Sequence, residues 1–323
     1  MPTNTISNLG LQLLTTSNLV SQQSNLATLA QQLATGKKHT NLTDYDPTAA
    51  RNLMDFQNVI SQRRSYIDAM KTVNVRLDIY DQTMNDMEDI AAQASSLAAS
   101  NQNLDANKVV QLKAQIQAYL KQLTDDFNQQ VSGRYVYSGS RYSTPPVADL
   151  TTLTGAPNWP FTPTASPTLP NYDSEYDGST TSAAAFSQDS VTIGNGFTVQ
   201  YGITSNADAM QRLVAGLQFF NDATDQTDPD DYNTGMIRAA NLLSGALSGL
   251  QSLHAGVANN INILKRQADI QTTAITALQN QITDLQQVDL TEIGTKINLL
   301  QTQLQASYSA TASLQRLSIL NYL

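Results

Sequence analysis

Few side chains in this sequence are of a type that does chemistry, and their spacing favours no reaction. There are no cysteines and only two histidines, His39 and His254, which excludes disulfides, zinc–thiolate centres and cysteine nucleophiles. His254 falls within a regular apolar stripe, where a packed, hydrogen-bonded histidine is far commoner than a metal ligand. His39 lies in a connector without a second ligand nearby. We therefore predict no catalytic site, no metal site and no bound cofactor.

The densest group of carboxylates, DATDQTDPDDYNTG at residues 222–235, superficially resembles a calcium loop. An EF-hand loop has glycine at its sixth position and glutamate at its twelfth. Counted from Asp228, those positions here are Asn233 and Ala239. The sequence also lacks the glycine-rich phosphate-binding, HExxH and GxSxG motifs. We predict a solvated acidic loop ahead of a helix, and an enzyme is disfavoured.

The charge balance limits the partners. The net charge of −9 and the absence of lysine or arginine between Arg141 and Arg212 argue against nucleic acid, because binding phosphates needs clustered basic side chains. No apolar run approaches the ~18 residues that span a bilayer, so we expect no membrane insertion. The opening MPTNTISNLGLQLLTTSNLV has neither the basic start nor the continuous apolar run of a signal peptide, and we expect none.

Proline and glycine divide the chain into two helical arms around an irregular middle. Residues 48–132 contain neither residue type, whereas seven of the ten prolines lie between Pro145 and Pro170. The uninterrupted stretch predicts two long antiparallel helices with a corner at SNQNLD. Either Asn103 or Asp105 can cap the second of these helices.

Both termini carry narrow apolar stripes. Leucines recur every seven residues in a polar N-terminal helix that Gly36 ends. Towards the C terminus, the stripe alternates steps of four and three from Met236 to Leu285, breaks at VDLTEIG and then resumes. A seam this narrow requires a partner helix in water. We therefore predict an assembly interface at Leu19, Leu26, Leu33, Ile275, Leu278, Ile282, Leu285, Ile293, Ile297, Leu300, Leu304, Leu314 and Leu317.

The middle of the chain has strand signals. VTIGNGFTVQYGI alternates apolar and polar residues around Gly194-Asn195-Gly196, which predicts a two-stranded hairpin, and YVYSG at 135–139 is strand-like. The predicted fold is mainly α, a long antiparallel helical bundle or coiled coil from both termini with a small β-rich central insert domain. We divide the chain into an N-terminal helix and connector (1–47), the two parts of a helical bundle domain (48–135 and 206–285), a β-rich outer domain (136–205) and a C-terminal helix (286–323).

Three segments resemble the flagellin superfamily. The ending LLQTQLQASYSATASLQRLSILNYL is similar to the family's LQxQLQASxxxxxxLxxLSLxxxL terminus, and GRYVYSGSRYSTPPV is similar to a Gly-x-Tyr-x-Phe-x-Gly…Pro feature of its hook-associated members. The sequence departs from the family at His39, where an aliphatic residue is usual, and at Tyr45, which interrupts a pair of aspartates. In the N-terminal block LATLAQQLATGKKHTNLTDYDPTAARNL, the matching residues are Leu33, Thr35, Gly36, Lys37, Asp46, Pro47, Ala49 and Ala50.

The resemblance implies a structural subunit of the bacterial flagellum, joining hook to filament through coiled-coil self-assembly of its terminal helices. These helices are disordered in the free subunit of the family and form the inner tube on assembly. The implied partners are copies of the chain in a helical lattice, neighbouring hook-associated proteins and flagellin, and an export chaperone. The implied location is extracellular, reached by flagellar type III secretion without a signal peptide.

Two other functions stay open on the sequence alone. One is flagellin, the filament subunit itself. The other is a surface adhesin-like module in the central insert, which contains an aromatic group that we interpret first as the insert's own small core and second as a sugar-binding surface. The group consists of Trp159, Phe161, Tyr172 and Tyr176.

Overall fold

The computed structural model describes the backbone of residues 3–152 and 187–320, and the side chains of residues 10, 13–152 and 187–313. The aromatic group predicted for the insert lies outside these residues. Helices and short antiparallel strand pairs make up the described part, which confirms the mainly α fold with long helices from both termini. The helices are α1 (Thr3–Thr35), α2 (Pro47–Ser100), α3 (Ala106–Phe127), α4 (Asp208–Ala223), α5 (Pro229–Gln286) and α6 (Leu290–Leu320). The strands are β1 (Gln130–Val131) paired with β2 (Arg134–Tyr135), and β3 (Ser190–Gly194) paired with β4 (Phe197–Gln200).

The chain forms two compact units. One consists of residues 1–61 and 273–323, and the other of residues 62–272. The first contains α1 and α6, whereas the second contains α3, α4 and both strand pairs. The helices α2 and α5 contribute residues to each unit.

Helices α2 and α3 form a hairpin in the 62–272 unit, as the sequence predicts. Asp105 caps α3, because its side chain accepts a hydrogen bond of 3.0 Å from the backbone N–H of Asn107. This satisfies one of the donors that a helix start leaves free. Apolar side chains at helical spacing on both helices are buried, which removes them from water and stabilises the fold by ~25 cal/mol per Å² of apolar surface. The buried stripe residues are Tyr80, Met84, Met87, Ala91, Ala94 and Ala98 on α2, and Leu112, Ile116, Leu123 and Phe127 on α3.

Helix α4 is the most enclosed element of this unit. Every residue from Ala209 to Phe220 except Arg212 is buried. The sequence prediction for residues 206–285 is one part of a helical bundle and does not separate α4 from α5.

Helices α4 and α5 approach each other closely at glycines. A Cβ added to Gly235 would lie 2.7 Å from the Cβ of Ala223, and one added to Gly249 would lie 2.7 Å from the Cβ of Ala209. Because these two contacts fall at opposite ends of α4, the helix lies along α5 over its whole length. The small side chains on both helices permit this approach.

The middle of the chain confirms one strand prediction and corrects another. β3 and β4 form the predicted hairpin, with Gly196 in the left-handed region at φ +75°. In YVYSG only Tyr135 belongs to a strand, so the strand predicted over 135–139 is wrong beyond its first residue. The backbone turns after this residue instead, with Gly139 in the left-handed region at φ +63° and the N–H of Arg141 donating to the carbonyl of Ser138 at 3.2 Å. Within this turn Tyr137 is fully buried, with its ring edge-on 5.0 Å from Tyr80 and 5.8 Å from Phe127.

Asp126 on α3 is a buried carboxylate whose Oδ2 has no hydrogen-bond partner among the described residues. Burial raises its pKa to about 7, with a further contribution from the nearby charges of Asp86 and Asp125. The folded chain therefore binds a proton at Asp126 that the unfolded chain releases near pH 4. The contribution of Asp126 to stability is therefore fully present below that pH and is lost as the pH rises towards 7.

Replacement of Asp126 by asparagine should remove this loss. At about pH 8 we expect the variant to be more stable than the wild type by about 2 to 4 kcal/mol, because no charge needs to be buried. At about pH 4 the two proteins should differ little, since the carboxyl is then protonated in the folded state and only about half ionised in the unfolded state. Urea unfolding at the two pH values measures the difference. Equal free energies of unfolding at the higher pH would contradict the assignment.

Candidate assembly surface

Helices α1 and α6 pack against each other as an antiparallel pair. The side-chain amide of Gln23 donates to the hydroxyl of Tyr308 at 2.6 Å, and the hydroxyl of Ser307 donates to Gln22 Oε1 at 3.4 Å. The C-terminal arm of the same chain is thus a partner for the narrow N-terminal stripe. Polar hydrogen bonds at the edge of the pair accompany the thin apolar contact.

The predicted interface residues lie in different environments along these helices. Ile275, Ile293 and Leu304 are buried within the chain, with 6 to 8% of each residue exposed. Leu33 is 44% exposed, and the side chains of Leu314 and Leu317 lie outside those described. Their role in assembly remains a prediction. The half-buried members are Leu19, Leu26, Leu278, Ile282, Leu285, Ile297 and Leu300.

Further apolar side chains on the two arms face outward and fall outside the predicted stripes. They are not in the heptad pattern, so a search for seven-residue spacing misses them. An open groove of about 370 Å³ between α1 and α6 includes Leu29, Leu299 and Leu300 in its lining. The pair therefore keeps apolar surface that its own two helices do not cover. The most exposed residues are Leu13, Leu14, Val20, Leu290, Leu299 and Tyr308, each at least half exposed.

The break after α1 and the break between α5 and α6 lie next to each other. α1 ends before Gly36, whose φ of +68° is in the region that favours glycine, and α5 gives way to α6 within the predicted VDLTEIG break. The N–H of Lys38 donates to the carbonyl of Gln286 at 2.6 Å, and the N–H of Val288 donates to the carbonyl of Gly36 at 3.1 Å. These bonds tie the two breaks together.

Asp289 starts α6 after the break. Its Oδ1 accepts hydrogen bonds from the backbone N–H groups of Glu292 and Thr291, at 3.2 and 2.8 Å. These bonds lower the pKa of Asp289. The residue acts as an N-cap, so the new helix begins at a position that the local sequence specifies.

In the 62–272 unit, an ion pair fixes the two ends of the central insert. Arg76 Nη1 on α2 donates to Asp189 Oδ2 at 2.5 Å, and the hydroxyl of Tyr142 donates to Asp189 Oδ1 at 2.6 Å. The guanidinium of Arg134 stacks 3.3 Å from the centroid of the Tyr142 ring. The hydrogen bond to Asp189 is the main cause that raises the pKa of Tyr142. Tyr142 and Asp189, which lie on either side of residues 153–186, are thus joined at one point on α2.

Removal of the Asp189 carboxylate should weaken this unit substantially. Asp189→Ala leaves Arg76, whose side chain is only 10% exposed, without its counter-charge, and we expect a loss of about 3 kcal/mol in the free energy of unfolding. The matched control is Asp68→Ala, which breaks an ion pair with Lys71 that is more than 70% exposed on both sides. Exposed pairs contribute under ~1 kcal/mol. Equal effects of the two variants in urea unfolding would contradict the role of Asp189.

The histidines support no metal site in the part of the chain that the structure describes. His39 packs edge-on against Tyr45, with 4.9 Å between ring centroids. His254 on α5 is hydrogen-bonded through both ring nitrogens, as a packed histidine, to Asp81 and Glu88. No group of three potential metal ligands occurs among the described residues. The predicted acidic loop lies between α4 and α5, where Asp228 caps α5 through the N–H groups of Asp230 and Asp231.

Comparison with known proteins adds a family match. Residues 241–323 match the bacterial flagellin C-terminal helical region, whereas no curated protein matches the chain. Within the described residues, no helix combines the length and apolarity needed to cross a membrane.

Two solved structures are similar in fold. A flagellar hook-associated protein from Vibrio parahaemolyticus superimposes with a TM-score of 0.51 at 15% identity, over 76% of this chain and 100% of its own. FlgL from Bacillus cereus gives a TM-score of 0.40 at 12% identity, over 69% of this chain and 98% of its own. The likeness to the Vibrio protein is one of fold. The family match thus confirms the resemblance over residues 241–323, which are similar to the C-terminal helical region of bacterial flagellins.

Proposed function

We propose that this chain joins the flagellar hook to the filament through coiled-coil self-assembly of its terminal helices. The observation that carries the proposal is the antiparallel α1–α6 pair, which keeps exposed apolar side chains on both helices. Leu14 is 62% exposed and Leu299 is 59% exposed. Exposed apolar surface on a narrow two-helix pair is a surface that further copies can cover.

The predicted domains receive roles under this proposal. Segments 1–47 and 286–323 form the inner tube, 48–135 and 206–285 form the surrounding bundle, and 136–205 faces outward. The partners are copies of the chain in a helical lattice, together with neighbouring hook-associated proteins and flagellin. An export chaperone covers the terminal arms before flagellar type III secretion delivers the chain to the extracellular flagellum.

Flagellin itself is the second candidate function. The observation that favours it is the match of residues 241–323 to the flagellin C-terminal helical region, a description that names the filament subunit. A filament subunit repeats along a long lattice, whereas a junction subunit occupies one short zone. The two functions therefore predict different amounts and positions of the protein on one flagellum.

Immunogold labelling of isolated flagella separates the two. We expect label at a single zone between hook and filament, and a deletion strain that keeps its hooks but loses its filaments. Label along the whole filament would favour flagellin and contradict the junction. Purified protein provides an independent check, since a junction subunit should not grow into long filaments on filament seeds.

A further inference from the structure

His254 connects two long helices of the 62–272 unit. From α5, its Nδ1 lies 2.8 Å from Glu88 Oε1 and its Nε2 lies 3.0 Å from Asp81 Oδ1, and both carboxylates belong to α2. The side chains of His254 and Glu88 are about one-fifth exposed, and that of Asp81 is about half exposed. The imidazole ring therefore lies between two carboxylates that are two helical turns apart on α2.

This geometry favours a doubly protonated ring. A neutral imidazole has one N–H donor and one lone pair, so one of its nitrogens would direct a lone pair at a carboxylate oxygen. The imidazolium ion donates from both nitrogens, and each hydrogen bond is then charge-assisted. Because the two carboxylates approach opposite ring nitrogens, they cannot converge on one metal ion together with the histidine.

The surrounding sequence makes His254 the one source of positive charge at this contact. Residues 239–264 of α5 contain no other ionisable side chain. The facing stretch of α2, residues 77–100, contains no lysine or arginine but carries five carboxylates. The charged groups that face the ring are thus Asp81 and Glu88 on α2, and α5 adds none. These carboxylates repel each other along α2 when no cation lies opposite.

We propose that His254 is a pH-dependent clamp, which fastens α5 to α2 when its ring is protonated and loosens the contact when the ring loses its proton. The positive charge of the ring is shared between Asp81 and Glu88, whose carboxylates accept from different ring nitrogens. These contacts exist only in the folded chain, because His254 is far from Asp81 and Glu88 in the sequence. It therefore couples the pH of the surroundings to the stability of the bundle, independently of any role in the flagellum.

The direction of the effect follows from the electrostatics. Partial burial lowers the pKa of His254, but the hydrogen bonds to Asp81 and Glu88 outweigh it and the pKa is raised. The stabilisation is fully present below the unfolded value of about 6.5. It is lost as the pH rises through the higher folded value. The bundle should thus loosen towards alkaline pH.

The direct test is an NMR titration of the imidazole groups in the full chain. With only two histidines, the resonances are assigned by a single His39→Gln variant. We expect His254 to titrate above about pH 6.5, with nitrogen shifts that show both ring nitrogens protonated below that pH. Titration at or below about pH 6.5 would overturn the clamp. Because this measurement uses the native residue, it does not depend on a variant that folds.

A second test measures the consequence for stability. The background is Asp126→Asn, which removes the other group that titrates in this range. In that background we expect the urea midpoint to fall between about pH 6 and about pH 9, and His254→Gln to abolish most of that fall. Glu88→Gln should move the fall to lower pH, whereas His39→Gln should leave it unchanged. An identical pH dependence with and without His254→Gln would refute the clamp.

Discussion

Replacement of Leu304 by aspartate should abolish incorporation of the chain into flagella while the 62–272 unit stays folded. Leu304 lies on α6 with only 6% of the residue exposed. Placing an unpaired carboxylate in this contact costs about 3 kcal/mol or more, which a thin apolar seam cannot offset. We therefore expect the α1–α6 pair to open and the terminal arms to become sensitive to protease. Fractionation of flagella from a strain that expresses the variant measures incorporation.

The control is Gln301→Asp, which adds the same charge to an exposed position one turn earlier on α6. This variant should leave the α1–α6 pair of the purified chain intact. Leu278→Asp, at a half-buried position on α5, should also block assembly, with a smaller effect on the isolated chain. Normal incorporation of the Leu304 and Leu278 variants would contradict the proposed interface.

Replacement of Gly235 or Gly249 by alanine should destabilise the 62–272 unit, although alanine is the better helix former. A new Cβ at either position would lie 2.7 Å from the Cβ of an alanine on α4. The helices must then separate, at a cost of about 2 kcal/mol for each site. The two sites are distant, so the double variant should lose about 4 kcal/mol. Urea unfolding measures these changes.

Gly256→Ala is the matched control on the same helix. A Cβ at this position meets nothing within 4 Å, so only the gain in helix propensity remains. We expect this variant to be more stable than the wild type by up to ~1 kcal/mol. If Gly235→Ala were stabilised to the same degree, the close approach of α4 and α5 would be wrong.

The features that the sequence predicts correctly are those with local causes. Gly36 ends α1 because its backbone takes a positive φ, and Asp105 starts α3 because its own side chain caps the helix. The break at VDLTEIG separates two helices where the apolar spacing fails. The β3–β4 hairpin forms around a turn whose glycines the strands require. Each signal lies within a few residues of the structure that it specifies.

The features that the sequence does not predict depend on contacts between distant residues. Helix α4 packs on α5 through contacts such as that of Ala209 with Gly249, which no local pattern specifies. Tyr137 packs in the core against Tyr80, which lies far away in the sequence. The partners of Arg76 and His254 come from elements far along the chain.

The amino-acid sequence by itself therefore determined the two helical arms, their interruptions and the flagellin resemblance, because helix periodicity, capping and turn chemistry are short-range properties. Only the tertiary structure decided which charges meet, which carboxylate is buried and which apolar side chains remain uncovered. Burial and the pairing of charges depend on which helices become neighbours, and no single stretch of sequence specifies that.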